Sequence, residues 1–568
     1  MQNKFKNKLL VISILIGLII TSAQSATTIT VNWALDEEPG HNSHTCDYTQ
    51  GGLFFPDTTG SGSGKCTLRR ALRQAGAMSD EGFCSGCTPI TITFTGLNGS
   101  DGNADDSQFN GASNQWILPL SSAVSSSFFG LKPQSITDVT GPITIVGPVI
   151  NVLNGEMPKI MVDTQKTLDL QIDGVTIQNM GFMGGMSIHW KQANGVFQNN
   201  TWGLDADGMS IKFGDLVGNT DNLAGNHGIL TTNKGENMLV QGNVISGAST
   251  YAVEINSATT GVQILDNLIG TRIDGTVPVV PNNLKCRTFV NFNPVDPPID
   301  PSEWFGGAGI SAAGTGLLIQ GNTIAGMQTI HSTNTTPPGA LQVLGRLHTV
   351  ELNIIGKDTA DYEVGVCGQG IQISTARDTT PQVNNGHMII DNEIYAPKNG
   401  FENTKGAILW TDSTVNSFLD GGNTIRRNLV ITGIEKYIEF GPMLTTPLKT
   451  FEPAVISSIS GVNISGHSHL SNFFGSPSPC PNCIIDFYLD DGDANQEALE
   501  YLGSTSADSN GDFNFTLSSV LPDGFGIRTT STSVADNVIP NAWSGQTSEM
   551  STEVYGLVSD IIFKNGFE

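Results

Sequence analysis

The residues best suited by type to do chemistry lie in one long segment, Thr271–Gly307, which carries "PNNLKCRTF" and "PSEWFGG". Lys285 can serve as a base, and the guanidinium of Arg287 can neutralise a carboxylate beside the proton being removed. Elimination in a uronic-acid polymer needs that pair of roles. Trp304 offers a flat apolar face on which a sugar ring stacks. The plainer reading is a loop pinned by Cys286 with ordinary surface charges. A second chemistry is suggested by oxygen-rich turns: Asp205 and Asp207 in "LDADG", the stretch "LDDGDANQE" (Leu489–Glu497) and "DSNGD" (Asp508–Asp512). Their spacing suits calcium without the full twelve-residue loop pattern, and a turn whose Asp caps its own backbone explains them too. Calcium is the one cofactor the sequence suggests. His189, beside Trp190, reads as structural.

Any such site must be carried on a repeat. "LVQGNVISG", "QILDNLIGT", "LLIQGNTIAG", "MIIDNEIYA" and "TIRRNLVITG" share one grammar: a short β-prone run, an asparagine, then more aliphatic residues. The asparagines are Asn243, Asn267, Asn322, Asn392 and Asn428, and Asn200 precedes them in "VFQNNTW". The first spacing is 24 residues, and larger gaps imply insertions between units. Between these phrases fall others, such as "HGILTT", "YAVEIN", "AGISAAG", "QGIQIST" and "GAILWT". Short alternating strands at this period suit a solenoid, in which each strand pairs with its equivalent in the next coil about 4.8 Å away. An asparagine at one corner of every coil can donate and accept through its amide, serving both the turn backbone and its stacked neighbours. The asparagines are therefore expected to be structural.

Composition agrees. Gly accounts for 66 of 568 residues and charged residues for only 14%, which favours β-structure rich in turns. The start, "MQNKFKNKLLVISILIGLIITSAQSA", has the basic, apolar and small-residue regions of a secretory signal peptide, assigned to residues 1–25. Without its three lysines, 24 basic residues face 53 acidic ones. That excess of acid excludes nucleic acid as a partner, since nucleic-acid affinity comes from cations meeting phosphates. The apolar run of the leader is too short to span a bilayer, and the mature chain is expected to have no membrane span. Eight cysteines in an exported chain point to disulfides. Cys84/Cys87 and Cys480/Cys483 are C-x-x-C pairs that close locally or cross-link to Cys46 and Cys66; a four-thiolate zinc site is the weaker alternative. Cys286 is a candidate partner for Cys367.

The coils resemble those of right-handed parallel β-helix proteins of the pectate-lyase-like superfamily, and more narrowly those of secreted bacterial β-helices. "NVISGAS", "YAVEIN", "DNLIGTRIDG" and "NTWGLDADG" stand where those proteins repeat similar phrases, over about residues 140–440. "CTLRRALRQA" is similar to the "CSLREAI" segment that opens many of them, with Arg70 in place of the usual Glu. Leu68, Ala71, Leu72 and Ala75 form one apolar helix face, and Arg69, Arg70 and Arg73 are read as a solvated face. The expected organisation is an N-terminal cap with this short amphipathic helix (26–140), a β-helix (141–440), a linker (441–454), an immunoglobulin-like β-sandwich (455–550) and a tail (551–568). The sandwich is read from the alternation in "IIDFYLDD" and "DFNFTL". The final "DIIFKNGFE" resembles sorting tails of secreted proteins from Gram-negative bacteria, which implies a secreted or cell-surface location.

Enzymes of this superfamily that hydrolyse polygalacturonate carry four motifs. Of these, only "NTD" (Asn219–Asp221) is present, with "GHM" (Gly386–Met388) and "RID" (Arg272–Asp274) as poor substitutes. Asp266 and Asp391 share a column, but 125 residues at 24 per coil place them about five coils, roughly 25 Å, apart. Glycosidase pairs need about 5–9.5 Å. Asp391 and Arg427 fall in neighbouring coils and read as a salt bridge. The expected function is adhesion or glycan binding at a polysaccharide or host or cell surface. The alternatives are a polysaccharide lyase or hydrolase acting on an acidic polymer beside the 271–307 insertion, and a purely structural surface or matrix protein.

Overall fold

The computed structural model describes residues 26–555 with breaks, the longest being 36–45, 56–64, 121–128, 132–140, 213–227, 279–286, 289–307, 331–338, 375–385, 399–405, 412–421, 441–450, 471–477 and 535–544. The expected signal peptide and the end of the tail lie outside the described residues. No helix among them is long and apolar enough to cross a membrane.

Three long sheets run along one axis. Sheet 1 has 13 strands, sheet 2 has 11 and sheet 3 has 10 among the described residues. The chain visits them in turn, as in Leu239–Gln241 (sheet 1), Val244–Ile245 (sheet 2) and Tyr251–Ile255 (sheet 3). Each strand pairs in parallel with its equivalent one coil on: Val240 with Ile264, Ile264 with Ile319, Ile319 with Val350. This is a parallel β-helix. Its parallel ladders already begin at Thr27–Thr30, which pairs with Ile90–Thr93.

The interior is a stack of aliphatic side chains with Trp190, Phe197, Trp202 and Trp410 filling the wider levels, in one continuous core. Burying a residue of this kind contributes about 1.5–3 kcal/mol, which is how coils with strands of only two to six residues hold together.

One corner keeps a constant length over most of the helix. Between sheets 1 and 2 the bend is two residues in eight successive coils, from Asn179–Met180 to Arg427–Asn428. Its first residue is left-handed throughout (Asn179, Asn199, Gly242, Asp266, Gly321, Leu352, Asp391, Arg427). From the second coil on, its second residue is the ladder asparagine. Asn200, Asn243, Asn267, Asn322, Asn353, Asn392 and Asn428 are all fully buried. The Oδ1 of each accepts the backbone N–H of the equivalent residue one coil back, Met180 for Asn200 (2.9 Å) and an asparagine for the rest, as from Asn267 N to Asn322 (3.0 Å) and from Asn322 N to Asn353 (3.0 Å). The Nδ2 of each of the first six donates to the next Oδ1, as from Asn322 to Asn353 at 2.9 Å. The five expected ladder residues thus stand in one row, extended by Asn200 and Asn353.

At the N-terminal end, helix Leu68–Met78 buries Leu68, Ala71, Leu72 and Ala75 as its sequence requires. Arg69 is also buried, contrary to the expected solvated face. The helix is covered on a second side, where Gln74 exchanges two hydrogen bonds with the Cys46 backbone (2.7 and 3.1 Å) and Cys46 is bonded to Cys66. Cys84–Cys87 and Cys480–Cys483 are local disulfides, so the sulfurs a zinc site would need are bonded to one another. Cys367 is disulfide-bonded, and Cys286 lies outside the described residues.

From Val455 onward the strands are antiparallel. A three-stranded sheet (Val455–Ser460, Asn463–His467, Asp512–Thr516) faces a four-stranded one (Glu500–Ser506, Ile484–Asp490, Gly526–Thr532, Val554–Tyr555). Ile464, Phe513, Ile485, Phe487 and Ile527 form the core between them. This unit closes the open end of all three helical sheets. Thr547 Oγ1 accepts from Ile425 N at the end of sheet 1 (2.9 Å), Ala498 exchanges backbone bonds with Val430 of sheet 2 (3.0 and 3.1 Å), and Glu549 accepts from Phe440 N of sheet 3 (3.3 Å).

Candidate functional site

Along the amide row this corner holds no insertion, because an extra residue would break the row; ahead of it the same connection is longer, 94–114 and 147–159. Added chain therefore enters at the other two corners. Connections from sheet 2 to sheet 3 take four residues in the shortest coils, but occupy 203–228, 270–307, 325–340, 356–370 and 396–405 elsewhere. The return from sheet 3 to sheet 1 is lengthened at 375–387 and 412–423. Along the amide row, sheet 3 is the one face bounded by both variable corners. Surfaces built this way, a rigid floor between extended connections, are where binding groups concentrate.

The floor of sheet 3 follows from strand alternation. Ile188 and Trp190, Val253 and Ile255, Leu341 and Val343 point into the core. The residues between them form an outward column in strict register: Asp169, His189, Leu230, Glu254, Ser311, Gln342, Gln372, Leu409 and Glu439. Eight steps of about 4.8 Å make the column roughly 38 Å long. Although they point outward, Ser311, Gln372 and Leu409 are buried, so the middle of the column is recessed.

The polar groups there are connected. Gln342 Oε1 accepts from the Tyr251 hydroxyl (2.9 Å) and the Ser311 hydroxyl (3.4 Å), while its Nε2 donates to Gln372 Oε1 (3.4 Å). Burial, and then the charge of Glu254, push the Tyr251 phenol up to about 12, so it stays a donor at any physiological pH. At the N-terminal end Asp169 lies 2.7 Å from Lys191 and 3.4 Å from His189. Burial raises the Asp169 carboxyl, but these two partners outweigh it and hold the group below its ordinary value. The sequence suggests a purely structural role for His189; the structure places it in this row. The other members carry no signal in the sequence, because the column repeats a position and not a residue type.

The residues expected to carry catalysis are not gathered here. Lys285 and Trp304 lie outside the described residues, as does "NTD" at 219–221. Arg287 sits in the short strand Arg287–Thr288, which pairs in parallel with Thr329–Ile330. His387 of "GHM" is fully buried. Its backbone donates to Asn423 Oδ1 (3.0 Å), and its Nδ1 accepts from His348 N (3.2 Å). "RID" forms a turn in which Asp274 caps Thr276 N (3.0 Å).

Asp266 and Asp391 are three strands apart rather than five, because the long 270–307 connection consumes sequence without adding coils. Three steps are roughly 14 Å, still beyond glycosidase reach. Within the sheet 3 column, Asp169 and Glu254 are also three strands apart, and Glu254 and Glu439 five.

The oxygen-rich turns spend their carboxylates on the chain itself. Asp207 Oδ1 accepts from Met209 N and Ser210 N (2.9 and 3.2 Å), and Asp508 Oδ1 from Asn510 N and Asp512 N (2.7 and 3.0 Å). In the 489–497 stretch a cation is already present: the Arg528 guanidinium bonds Asp490 and donates to Asn495 O (2.9 Å).

No protein-family model matches the chain, and no curated protein matches it either. Among solved structures it is similar to the catalytic domain of a GH87 alpha-1,3-glucanase in complex with tetrasaccharides, at 12% identity and a TM-score of 0.28. That match covers 61% of this chain and 47% of the other, so the chain spans about half of the glucanase domain's length. It is also similar to a mutant tailspike protein of E. coli bacteriophage HK620 in complex with a pentasaccharide, at 10% identity and a TM-score of 0.20, covering 78% of this chain and 85% of that one. By its own ladders the chain is a parallel β-helix closed at its C-terminal end by an antiparallel unit.

Proposed function

We propose that this chain is an exported scaffold that holds an extended polysaccharide along the outer face of sheet 3, in an adhesive or glycan-capturing role. One observation carries the reading: a register-aligned row of mostly polar outward groups, with two amides, a hydroxyl and three carboxylates, lies on the face bounded by both variable-length corners. A rigid row of this kind meets a repeating polymer without having to order itself first, which lowers the cost of binding. The carboxylates along it are spaced for contact with separate sugars, not for joint attack on one bond. The leader sequence and the C-terminal "FKNGFE" support a secreted or surface location in a Gram-negative bacterium.

The test is a glycan array with the purified mature chain, run beside assays for unsaturated uronate products and for new reducing ends. Retention of a polysaccharide with silence in both cleavage assays is the expected result. Product formation that disappears in Lys285→Ala and Arg287→Ala would replace this reading with elimination at the 271–307 insertion.

A further inference from the structure

We infer that the polymer held along sheet 3 is uncharged: a hydroxyl-rich neutral glycan, not a polyuronate. This rests on the reading of sheet 3 as a glycan-binding face.

The charges on that face point this way. The outward column holds three carboxylates, Asp169, Glu254 and Glu439, and no lysine or arginine. The two lysines near the column's ends are already paired: Lys191, just past strand Ile188–Trp190, with Asp169 of the column at 2.7 Å, and Lys436 with Glu549 at 3.6 Å. The connections at its edges add no compensation. Among their described side chains, Asp205, Asp207, Asp274, Asp358, Asp361 and Glu363 stand against Lys212, Arg272 and Lys357, and two of these cations are paired, Lys212 with Asp163 at 3.9 Å and Lys357 with Asp361 at 2.8 Å. A polyuronate would lay one carboxylate per sugar over a surface of its own sign, with too few cations to pair them, and like-charge juxtaposition is how interfaces reject a partner.

The recessed middle of the column does offer neutral groups. The half-buried Gln342 amide and Tyr251 phenol, held from behind by the buried Ser311 and Gln372, combine donor and acceptor groups that match sugar hydroxyls in either hydrogen-bonding role. An amine-bearing polymer would meet Glu254 beside Ser311 and Glu439 at the far end, five strands apart, while Asp169 is already paired with Lys191.

The experiment is isothermal titration of the mature chain with neutral glucans, mannans and galactans, with polygalacturonate and alginate, and with chitosan. Each is measured at about 0.05 and 0.5 M NaCl, a range over which screening of charge contacts changes severalfold. The expected result is binding to a neutral polymer with Kd changing less than about twofold across that range, and a loss of about tenfold or more in Gln342→Ala at an unchanged melting temperature. Binding confined to a polyuronate or to chitosan, weakening about tenfold with salt yet still lost in Gln342→Ala, overturns the inference and leaves sheet 3 as the site. Neutral-polymer binding that both Gln342→Ala and Ser311→Ala leave unmoved overturns the placement on sheet 3. Silence across the whole panel overturns the glycan reading itself.

Discussion

Arg426, in the last coil of sheet 1, grips Asp486, in the middle strand of the C-terminal antiparallel unit, through two parallel hydrogen bonds of 2.7 Å each. Asp486 is fully buried and also accepts from the Tyr501 hydroxyl at 3.2 Å. Beside it the Tyr488 hydroxyl accepts from Arg427 N (2.9 Å), and Arg427 reaches back to Asp391 with bonds of 2.7 and 2.6 Å. The solenoid and its C-terminal closure are therefore joined by a sealed charge pair as well as by strand bonds.

Removing one partner strands the other in a dry site. Asp486→Ala is expected to cost about 3–5 kcal/mol, while the double change Arg426→Leu with Asp486→Leu costs distinctly less, because no unpaired charge remains. Denaturant unfolding of the two variants checks this, and equal losses would show that the pair is not desolvated.

The amide row predicts a position-dependent penalty. Asn322→Ala leaves the Asn267 backbone N–H without its acceptor and breaks both neighbouring amide contacts. Each stranded buried group costs about 1–3 kcal/mol, so the coil should be destabilised by several kcal/mol. Asn322→Asp keeps the acceptor but loses the donor and buries a charge, and should be no better. Thermal melts of both variants provide the measurement.

One position at the same corner is poorly chosen for stability. Leu352 is left-handed at φ 57° and 50% exposed, a conformation that costs a non-glycine residue about 1–2 kcal/mol. Leu352→Gly or Leu352→Asn, the types found at Gly242, Gly321 and Asn199 in the same column, should raise stability by about 0.5–1 kcal/mol. A lowered melting temperature would mean that the Leu352 side chain contributes more through contacts than its backbone costs.

The strand-start column of sheet 1 predicts acid sensitivity. His348 and His387 are buried and stacked, ring centroids 4.8 Å apart. Burial pushes His348 down to about 4 and, with the charge of His348 as a second cause, His387 well below its ordinary value. The unfolded chain takes up these protons below about pH 6.5 and the folded chain does not until about pH 4. Stability is therefore full above pH 6.5 and falls as pH drops toward 4, by about 3 kcal/mol for His348 alone. His348→Asn and His387→Asn, which copy Asn423 in the same column, should flatten that slope in denaturant titrations at pH 7.5 and 4.5.

The solenoid is legible in the sequence because its rule is repeated in residue type. Every corner needs an amide, so Asn243, Asn267, Asn322, Asn392 and Asn428 announce themselves. Asn353, in "VELNIIG", belongs to the row but sits behind a leucine where the others follow Gly, Asp or Arg, so it does not stand out. The sheet 3 column has no such signature: aspartate, histidine, leucine, glutamate and serine share nothing but register, and register depends on insertions whose lengths sequence spacing cannot assign to coils. For the same reason, residue arithmetic stretches the Asp266–Asp391 separation from three coils to five. The docking of the C-terminal unit is also invisible in sequence, since Arg426 and Asp486 are ordinary surface types until they are seen buried against each other.

The two-residue corner has a consequence for how such a molecule changes over time. Where the amide row closes one edge of the spine to growth, lengthening is steered toward the borders of a single face. Recognition can then be rewritten by exchanging the borders alone, while the hydrogen-bonded column behind them stays as it is.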